Sequence, residues 1–367
     1  MLLITSERDA LLKPIQTVSG IVERRHTLPI LSNLLLRKTG GSLSFLATDI
    51  EVQISTAMPT GDDGKDQAIT VGARKLLDIL RALPSAPVSL KLEGKRLQIQ
   101  SGKSRFALST LAAEDFPTVA AANDYKASFS LPQKALKQLL ALVQYAMAQQ
   151  DIRYYLNGLL LIAQGNLIRV VATDGHRLAF ASAQIEASVE HQEVIIPRKT
   201  VIELERLLED SDEQIKIDLA QAQVRFSFSN IELTSKLVEG KFPDYQRVIP
   251  TGYKNRFDIK REELISSLQR AAILTNDKFK GVRCVVADNS LKISCTNTDQ
   301  EEAQEEAEIV YSGDPIDIGF NVNYLLDVLN HVKTETVQVS LGDSNSSALI
   351  TTEDSPEFRY VVMPMRI

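Results

Sequence analysis

The sequence predicts an α+β fold built as three tandem copies of one two-helix, antiparallel-sheet domain. Three observations lead there: a repeat near 125 residues, a fixed order of helical and strand-like patterns within it, and a length of 367 residues, more than one ordinary core holds. The stretches LSFLATD, IRVVATD and KISCTNTD end at Asp49, Asp174 and Asp299, 125 residues apart in both intervals. ARKLLDIL, PRKTVIEL and NVNYLLDVL carry Lys75, Lys199 and Asn323 at matching places, 124 residues apart. STLAAEDFP and SKLVEGKFP end alike at Pro117 and Pro243. The copies are expected at 1–125, 126–254 and 255–367. Such a period far exceeds the roughly 20–50 residues of stacked repeats, so each copy should own a core.

Each copy is expected to open with an amphipathic helix: ERDALLKPIQTVS, PQKALKQLLALVQYAM and REELISSLQRAAIL. In the second, Leu136, Leu139, Leu140 and Val143 recur at three- and four-residue intervals and form one apolar stripe. Pro132 is expected in that helix's first turn, where the missing N–H would be unpaired anyway. Pro14 lies deeper in the first helix and predicts a kink or a late start. Alternating strands follow, such as NLIRVVATD and RLAFASAQI, joined through the hairpin-type pair Asp174-Gly175. A shorter helix comes next: RKLLDILRAL, RKTVIELERLL or NYLLDVLNHV. Three further strands close each copy, for example IKIDLAQ, QVRFSFSN and IELTSKL in the second. Antiparallel sheets with the helices on one face result.

Composition narrows the class. With 44% hydrophobic and 24% charged residues, the chain has the balance of a soluble globular protein, not of a disordered one. No apolar run approaches the ~20 residues needed to span a bilayer, so no membrane association is expected. MLLITSERDALLK meets charge at Glu7 and Arg8, too early for a secretory signal. The two cysteines, Cys284 and Cys295, fit buried thiols in a reducing cytosol better than a disulfide. The four histidines are scattered, so neither metal nor cofactor is expected. GDDGK at 61–65 lacks the spacing and the following Ser/Thr of a phosphate-binding P-loop.

The net charge of −6 argues against a tight, nonspecific nucleic-acid binder unless positive charge is segregated onto one surface. It is segregated by element. The six helix-containing segments (7–25, 74–81, 132–153, 198–210, 260–283 and 323–333) sum to +7, which leaves −13 elsewhere. Any solvated helix face carries Lys and Arg, but a net positive bias summed over a repeated array, with four of the six segments positive, suits a polyanion held on one face.

Four motifs stand out, each with a plainer alternative. DGHR, Asp174 to Arg177, places His, Asp and Arg together, yet no activated nucleophile appears elsewhere, so a polar hairpin turn outweighs catalysis. The other copies have Ile50–Glu51 and Gln300–Glu301 in place of His176 and Arg177, so a task confined to the second copy is expected. QEEAQEEAE, 300–308, reads as a solvated loop or helix face, or as half of an electrostatic interface. Lys75, Arg96, Lys103 and Arg105 of the first copy offer the basic half, and a head-to-tail contact of third copy with first can close a ring. RYVVMPMRI, 359–367, reads as a core edge strand or, with its adaptable methionines, as part of a partner-binding wall. QQDIRYYLNG, 149–158, sets Arg153, Tyr154 and Tyr155 in a loop, either as core aromatics or as a surface for bases and phosphates.

Taken together, LPILSNLLL, RYYLNG, ATDGHRLA, IPRKTVIEL, SKLVEGKFPDYQRVIP, NDKFKGVR, GFNVNYLLDVL and YVVMPMRI resemble one family along the whole chain, the beta subunit (sliding clamp) of bacterial DNA polymerase III. The resemblance implies clamp domains in a head-to-tail homodimeric ring, with helices lining a central hole, sheets outside and duplex DNA threaded through. It implies a non-catalytic processivity factor in the bacterial cytoplasm. Its partners would be double-stranded DNA, a second copy, and, through short linear peptides, the polymerase III alpha subunit, the clamp loader, other polymerases and repair proteins.

Carried over by position, the DNA contacts are Arg25, Arg74, Gln149, Gln150, Tyr154, Tyr155 and Lys199, with Arg24 beside Arg25. The partner-peptide groove draws Leu156, Thr173, Gly175, His176, Arg177 and Leu178 from the middle of the chain, and Pro243, Arg247 and Val248 from the FPDYQRV stretch. Its remaining wall is Asn321, Tyr324, Val361, Val362, Met363, Pro364, Met365 and Arg366. The dimer contact sets Lys75, Arg105, Phe106 and Leu108 against Ile273, Leu274, Glu301, Glu302 and Glu305. The chain departs from its relatives at Gln149, where some carry His, and at Asn345, where an apolar residue of the groove floor is usual. Two readings of other classes compete: a dimeric peptide-binding scaffold that never encircles DNA, and a hydrolase using Asp174 and His176.

Overall fold

The computed structural model describes residues 1–23, 28–61, 65–276, 280–353 and 357–366. The first copy runs β1 (Leu2–Glu7), α1 (Arg8–Ser19), β2 (Asn33–Thr39), β3 (Ser42–Thr48), β4 (Val52–Pro59), β5 (Gln67–Gly72), α2 (Ala73–Ala82), β6 (Pro87–Glu93), β7 (Arg96–Ser101) and β8 (Ser104–Leu111). The second runs β9 (Ala127–Pro132), α3 (Gln133–Val143), β10 (Gly158–Thr173), β11 (Arg177–Pro197), α4 (Arg198–Leu207), β12 (Gln214–Leu219), β13 (Gln223–Phe228) and β14 (Ile231–Lys236). The third runs β15 (Asn255–Lys260), α5 (Arg261–Ala272), β16 (Gly281–Ala287), β17 (Ser290–Thr296), β18 (Glu302–Glu308), β19 (Ile316–Asn321), α6 (Val322–His331), β20 (Thr336–Leu341), β21 (Ala348–Thr351) and β22 (Glu357–Val362).

The order of elements thus repeats three times, with two helices per copy. The opening differs from expectation, because a six-residue strand precedes the first helix of each copy. LLITSE, ASFSLP and NRFDIK alternate weakly, and each is held by pairing to a strand some 80–90 residues away, such as Ser6 with Val88 and Ile217 with Phe129. Pro132 therefore ends β9 and does not open α3. Pro14 does not delay α1, which starts at Arg8 and runs through it, burying Leu11, Pro14, Ile15 and Val18. In the second copy, two pairs of strands fuse into β10 and β11, with the register shifting around Gly165, whose φ of +57° few side chains accept.

Among the described residues all strand pairs are antiparallel, in sheets of twelve, six and four strands. The chain divides into two compact units, 1–133 with 202–237 and 134–201 with 238–367. The three-copy pattern crosses this division because each joint between copies is a backbone ladder. In the first unit, β14 of the second copy pairs with β4 of the first, from Ser235 opposite Val52 to Ile231 opposite Thr56. In the second unit, β22 of the third copy pairs with β11 of the second, from Val362 opposite Arg177 to Glu357 opposite Ser182. The second copy is shared between the units. The RYVV of that final stretch therefore lies in an interior strand, β22, between β11 and β21, not at an edge, and residues 363–365 follow it outside the strand.

Amphipathic helices cover the sheets. α2 buries Ala73, Leu76, Leu77 and Leu80, and α6 buries Val322, Leu325, Val328 and Leu329. Cys284 and Cys295 are free thiols inside the third copy, and burial pushes Cys284 up to about 12. Among the described residues no helix is long and apolar enough to cross a membrane, and no group of His, Cys, Asp and Glu is arranged to hold a metal.

The hairpin expected at Asp174-Gly175 is a three-residue turn, and the first copy builds the same turn from other residues. Asp174 Oδ1 accepts from the N–H groups of His176 and Arg177 at 2.9 and 3.1 Å, and Thr173 Oγ1 donates to the Arg177 carbonyl at 2.6 Å. Asp49 Oδ1 accepts likewise from Glu51 and Val52 at 2.9 and 2.7 Å, and Thr48 Oγ1 donates to the Val52 carbonyl at 2.9 Å. These bonds force a left-handed residue, Gly175 at φ +90° and Ile50 at φ +80°, so Glu51 and Val52, and not Ile50 and Glu51, stand in place of His176 and Arg177. A β-branched residue there is strained by ~1–3 kcal/mol, against which glycine adds about 0.4–1 kcal/mol of unfolded-chain entropy. Ile50→Gly should therefore stabilise the protein by about 1 kcal/mol, read as a higher urea midpoint at unchanged m-value.

Candidate functional site

The Thr173–Arg177 turn and the end of β22 are neighbours because β11 and β22 pair, with Arg177 opposite Val362 and Leu178 opposite Val361. The Met363 N–H extends that ladder to the His176 carbonyl at 2.9 Å. Beside them lies a cavity of about 210 Å³ lined by Arg153, Tyr155, Leu156, Thr173, Gly175, Arg177, Leu178, Phe242, Pro243, Tyr245, Val248, Val361 and Met363. Its floor belongs to an apolar cluster that includes Leu160, Val171, Phe180, Ile195 and Ile249. Mainly apolar walls with a few directional polar groups suit a short segment anchored by apolar side chains.

Arg177 holds the turn. Its Nε donates to Asp174 at 3.1 Å, Nη1 to Asp327 on α6 at 2.5 Å and Nη2 to the Tyr145 carbonyl at 2.7 Å. Its guanidinium also lies 4.5 Å from the Tyr324 ring centroid. Burial works against this charge, yet the hydrogen bond and charge of Asp327, with the charge of Asp174, hold its pKa above the ordinary arginine value. Burial also raises Tyr145 and Tyr360, so both stay neutral phenols at physiological pH.

Nine of the residues carried over for the groove line the cavity: Leu156, Thr173, Gly175, Arg177, Leu178, Pro243, Val248, Val361 and Met363. Others serve it differently or lie apart. Asn321 caps α6 by accepting from the Asn323 N–H at 2.9 Å, and Val362 is fully buried in the sheet. The His176 ring stacks on Tyr324 at 6.4 Å, and Arg247 pairs with Asp244 while remaining largely exposed. Pro364, Met365 and Arg366 continue past the cavity wall, with the Met365 N–H bonded to the Gly319 carbonyl at 2.8 Å. Asn345 is exposed in the turn closed by Asp343, away from the lining. Sequence reasoning missed Arg153, Phe242 and Tyr245 as lining residues and gave Tyr155 to DNA alone. The FPDY stretch already signalled Phe242 and Tyr245, since apolar residues in a polar linker need a place to bury.

Of the DNA set, Arg25 and its neighbour Arg24 lie outside the described residues. Arg74 is exposed on α2 in the first unit. Gln149, Gln150, Tyr154 and Tyr155 share one loop after α3, and Lys199 lies in the first turn of α4. The α4 start adjoins that loop, since Arg198 donates to the carbonyls of Gln144 and Met147 at 3.4 and 3.3 Å.

Of the dimer set, Lys75, Arg105 and Phe106 are exposed and Leu108 is half-buried. Ile273 is 77% exposed beside half-buried Leu274, an unusual position for such a residue. The acidic run is neither loop nor helix: Glu302–Glu308 is β18, an edge strand. Glu301 takes a hydrogen bond from Asn297, and Glu305 is chelated by Arg270 at 2.9 and 2.5 Å within its own chain. That ion pair holds the Glu305 carboxyl below its usual range.

Family models of the DNA polymerase III beta subunit match in succession, the N-terminal domain at residues 2–120, the central domain at 130–244 and the C-terminal domain at 246–366. The chain belongs to the DNA polymerase III beta subunit family. It is 48% identical to the beta sliding clamp of Pseudomonas aeruginosa and 45% to that of Vibrio cholerae, each over 366 residues and 99% of both chains. A crystal structure of the P. aeruginosa sliding clamp bound to griselimycin matches with a TM-score of 0.96 at 46% identity, covering both chains fully. The Caulobacter crescentus polymerase III beta structure matches with a TM-score of 0.92 at 37% identity, again over both full chains. Three tandem beta-clamp domains of mixed α+β type with antiparallel sheets are thereby shown.

Hydrogen bonds to a charged group are worth ~1.5–3 kcal/mol where a partner would be stranded. Arg177→Met should cost about that in urea unfolding. It should also loosen the turn, seen as faster amide exchange at His176.

Proposed function

We propose that the protein is a DNA sliding clamp: a homodimeric ring that encircles duplex DNA and tethers a replicative polymerase, making and breaking no bond itself. The observation that carries this reading is a pair of unused strand edges. Copies one and two join through β4 and β14, and copies two and three through β11 and β22. The corresponding strands left over are β18, at the edge of the four-stranded sheet, and β8, which pairs with β7 but meets β5 only at Thr110 and Leu111. Joining β18 of one chain to β8 of another, twice, closes a ring. β18 is acidic, while β8 and its approach carry Lys103 and Arg105. Exposed Phe106 and Ile273 supply apolar contact to the same joint.

In this reading Arg25, Arg74, Gln149, Gln150, Tyr154, Tyr155 and Lys199 face DNA, and the cavity beside Arg177 takes peptides from the polymerase III alpha subunit, the clamp loader and other polymerases and repair proteins. The working place is the bacterial cytoplasm. A threaded ring is retained by topology, so its lining needs only mild positive charge and the chain can remain acidic overall.

Once loaded, the protein should stay on nicked circular DNA through gel filtration at moderate salt and be lost when the circle is linearised. Phosphate-bound proteins weaken steeply with salt, whereas threading does not depend on counterion release. Equal loss from both DNA forms would favour the scaffold that never encircles DNA.

A further inference from the structure

The loop 149–157 carries side chains of both interfaces, and one arginine links them. The base of the loop is closed by the Ala148 N–H on the Leu156 carbonyl at 3.0 Å. Asn157 braces its interior, accepting from the Asp151 N–H at 3.0 Å and donating to the Asp151 carbonyl at 2.8 Å. Asp151 then aims Arg153. Its carboxylate takes Nε and Nη2 of Arg153 at 3.0 and 2.8 Å and the Arg153 N–H at 2.8 Å. These bonds hold the Asp151 carboxyl down to about 2.

So aimed, the guanidinium reaches across to the groove turn. Nη2 donates to the Asp174 carbonyl at 3.3 Å. The head lies over Gly175, where an added Cβ would come within 3.1–3.2 Å of its nitrogens. Arg153 also forms part of the cavity wall. Its bond to the turn is the longest of the set, so a molecule filling the cavity displaces that contact before it disturbs the short bidentate pair with Asp151.

We propose that Arg153 is a strap between cavity and loop, so that filling the cavity releases the loop and changes its affinity for duplex DNA. Binding at either place then alters binding at the other by the same factor. The inference rests on reading the cavity as a peptide groove and the loop as DNA-facing.

The chain has no tryptophan, and Ile152, between Asp151 and Arg153, is 95% exposed. Ile152→Trp therefore gives a single reporter at the loop tip. The full-length variant is titrated with a peptide containing a Gln and paired apolar residues. Calorimetry records peptide binding, tryptophan emission records the loop, and a short labelled duplex is titrated with and without saturating peptide. The expected result is an emission change that follows the calorimetric isotherm and a duplex affinity altered about fivefold by peptide. Asp151→Ala, off the cavity wall and checked for folding by circular dichroism, should keep peptide binding and lose most of the emission change. Peptide binding with constant emission and constant duplex affinity would overturn the strap while leaving the groove. A full emission change in Asp151→Ala would also overturn it, by assigning the motion to another route. No calorimetric binding would remove the groove reading and the inference with it.

Discussion

Main-chain hydrogen bonding across the joints between copies is the constraint on which the rest of the structure depends. A strand edge exposes unpaired N–H and C=O groups, and natural sheets pair, shorten or charge such edges. Here the repeat solves the problem in series, with the last strand of one copy completing the sheet of the copy before it. The same solution leaves β8 and β18 over at the two ends of the series. β18 is kept from indiscriminate pairing by glutamates at four of its seven positions, which favours only a partner strand of opposite charge.

The cavity beside Arg177 is a by-product of one such joint. Pairing β22 with β11 brings Val361 and Met363 beside the Thr173–Arg177 turn. The equivalent joint has no arginine in its turn: Val52 stands where Arg177 does, and Lys236, next to the joint, pairs with Glu51 at 3.3 Å. There Gln53, opposite Thr234 in the ladder, holds the linker through the Val119 N–H, where the second copy has apolar Leu178. One backbone arrangement thus yields an apolar-walled cavity where its side chains are Arg, Leu and Met.

Much of this was legible in the sequence. The six helices followed from three- and four-residue spacing, the closing strands from alternation, and the three-fold repeat from its aspartates and lysines. Nine cavity residues followed from family motifs. What escaped was whatever depends on distant partners. The opening strands are too short to announce themselves without the strands that hold them. QEEAQEEAE has no apolar alternation beyond Ala303 and Ala307, and only its partner β17, carrying Leu291 and Ile293, makes it a strand. Arg153 stood only in a loop that suited either core aromatics or a surface for bases and phosphates, because nothing local says that Asp151 turns it toward Gly175. Asn321 and Val362 were placed by motif in the groove, where one acts as a helix cap and the other as core.

The charge distribution also follows from the joints. If topology retains the protein on DNA, affinity per contact can be low, and acidic sheets cost little in function. Closure of the ring depends on the third joint, between β8 and β18. Amide hydrogen exchange of residues 104–109 and 302–308, followed with light scattering across a protein dilution series, measures it directly. A ring closed through this joint should show protection of both stretches that appears as the mass doubles and is lost together on dilution. Fast exchange in both at a concentration where the mass has doubled would contradict it.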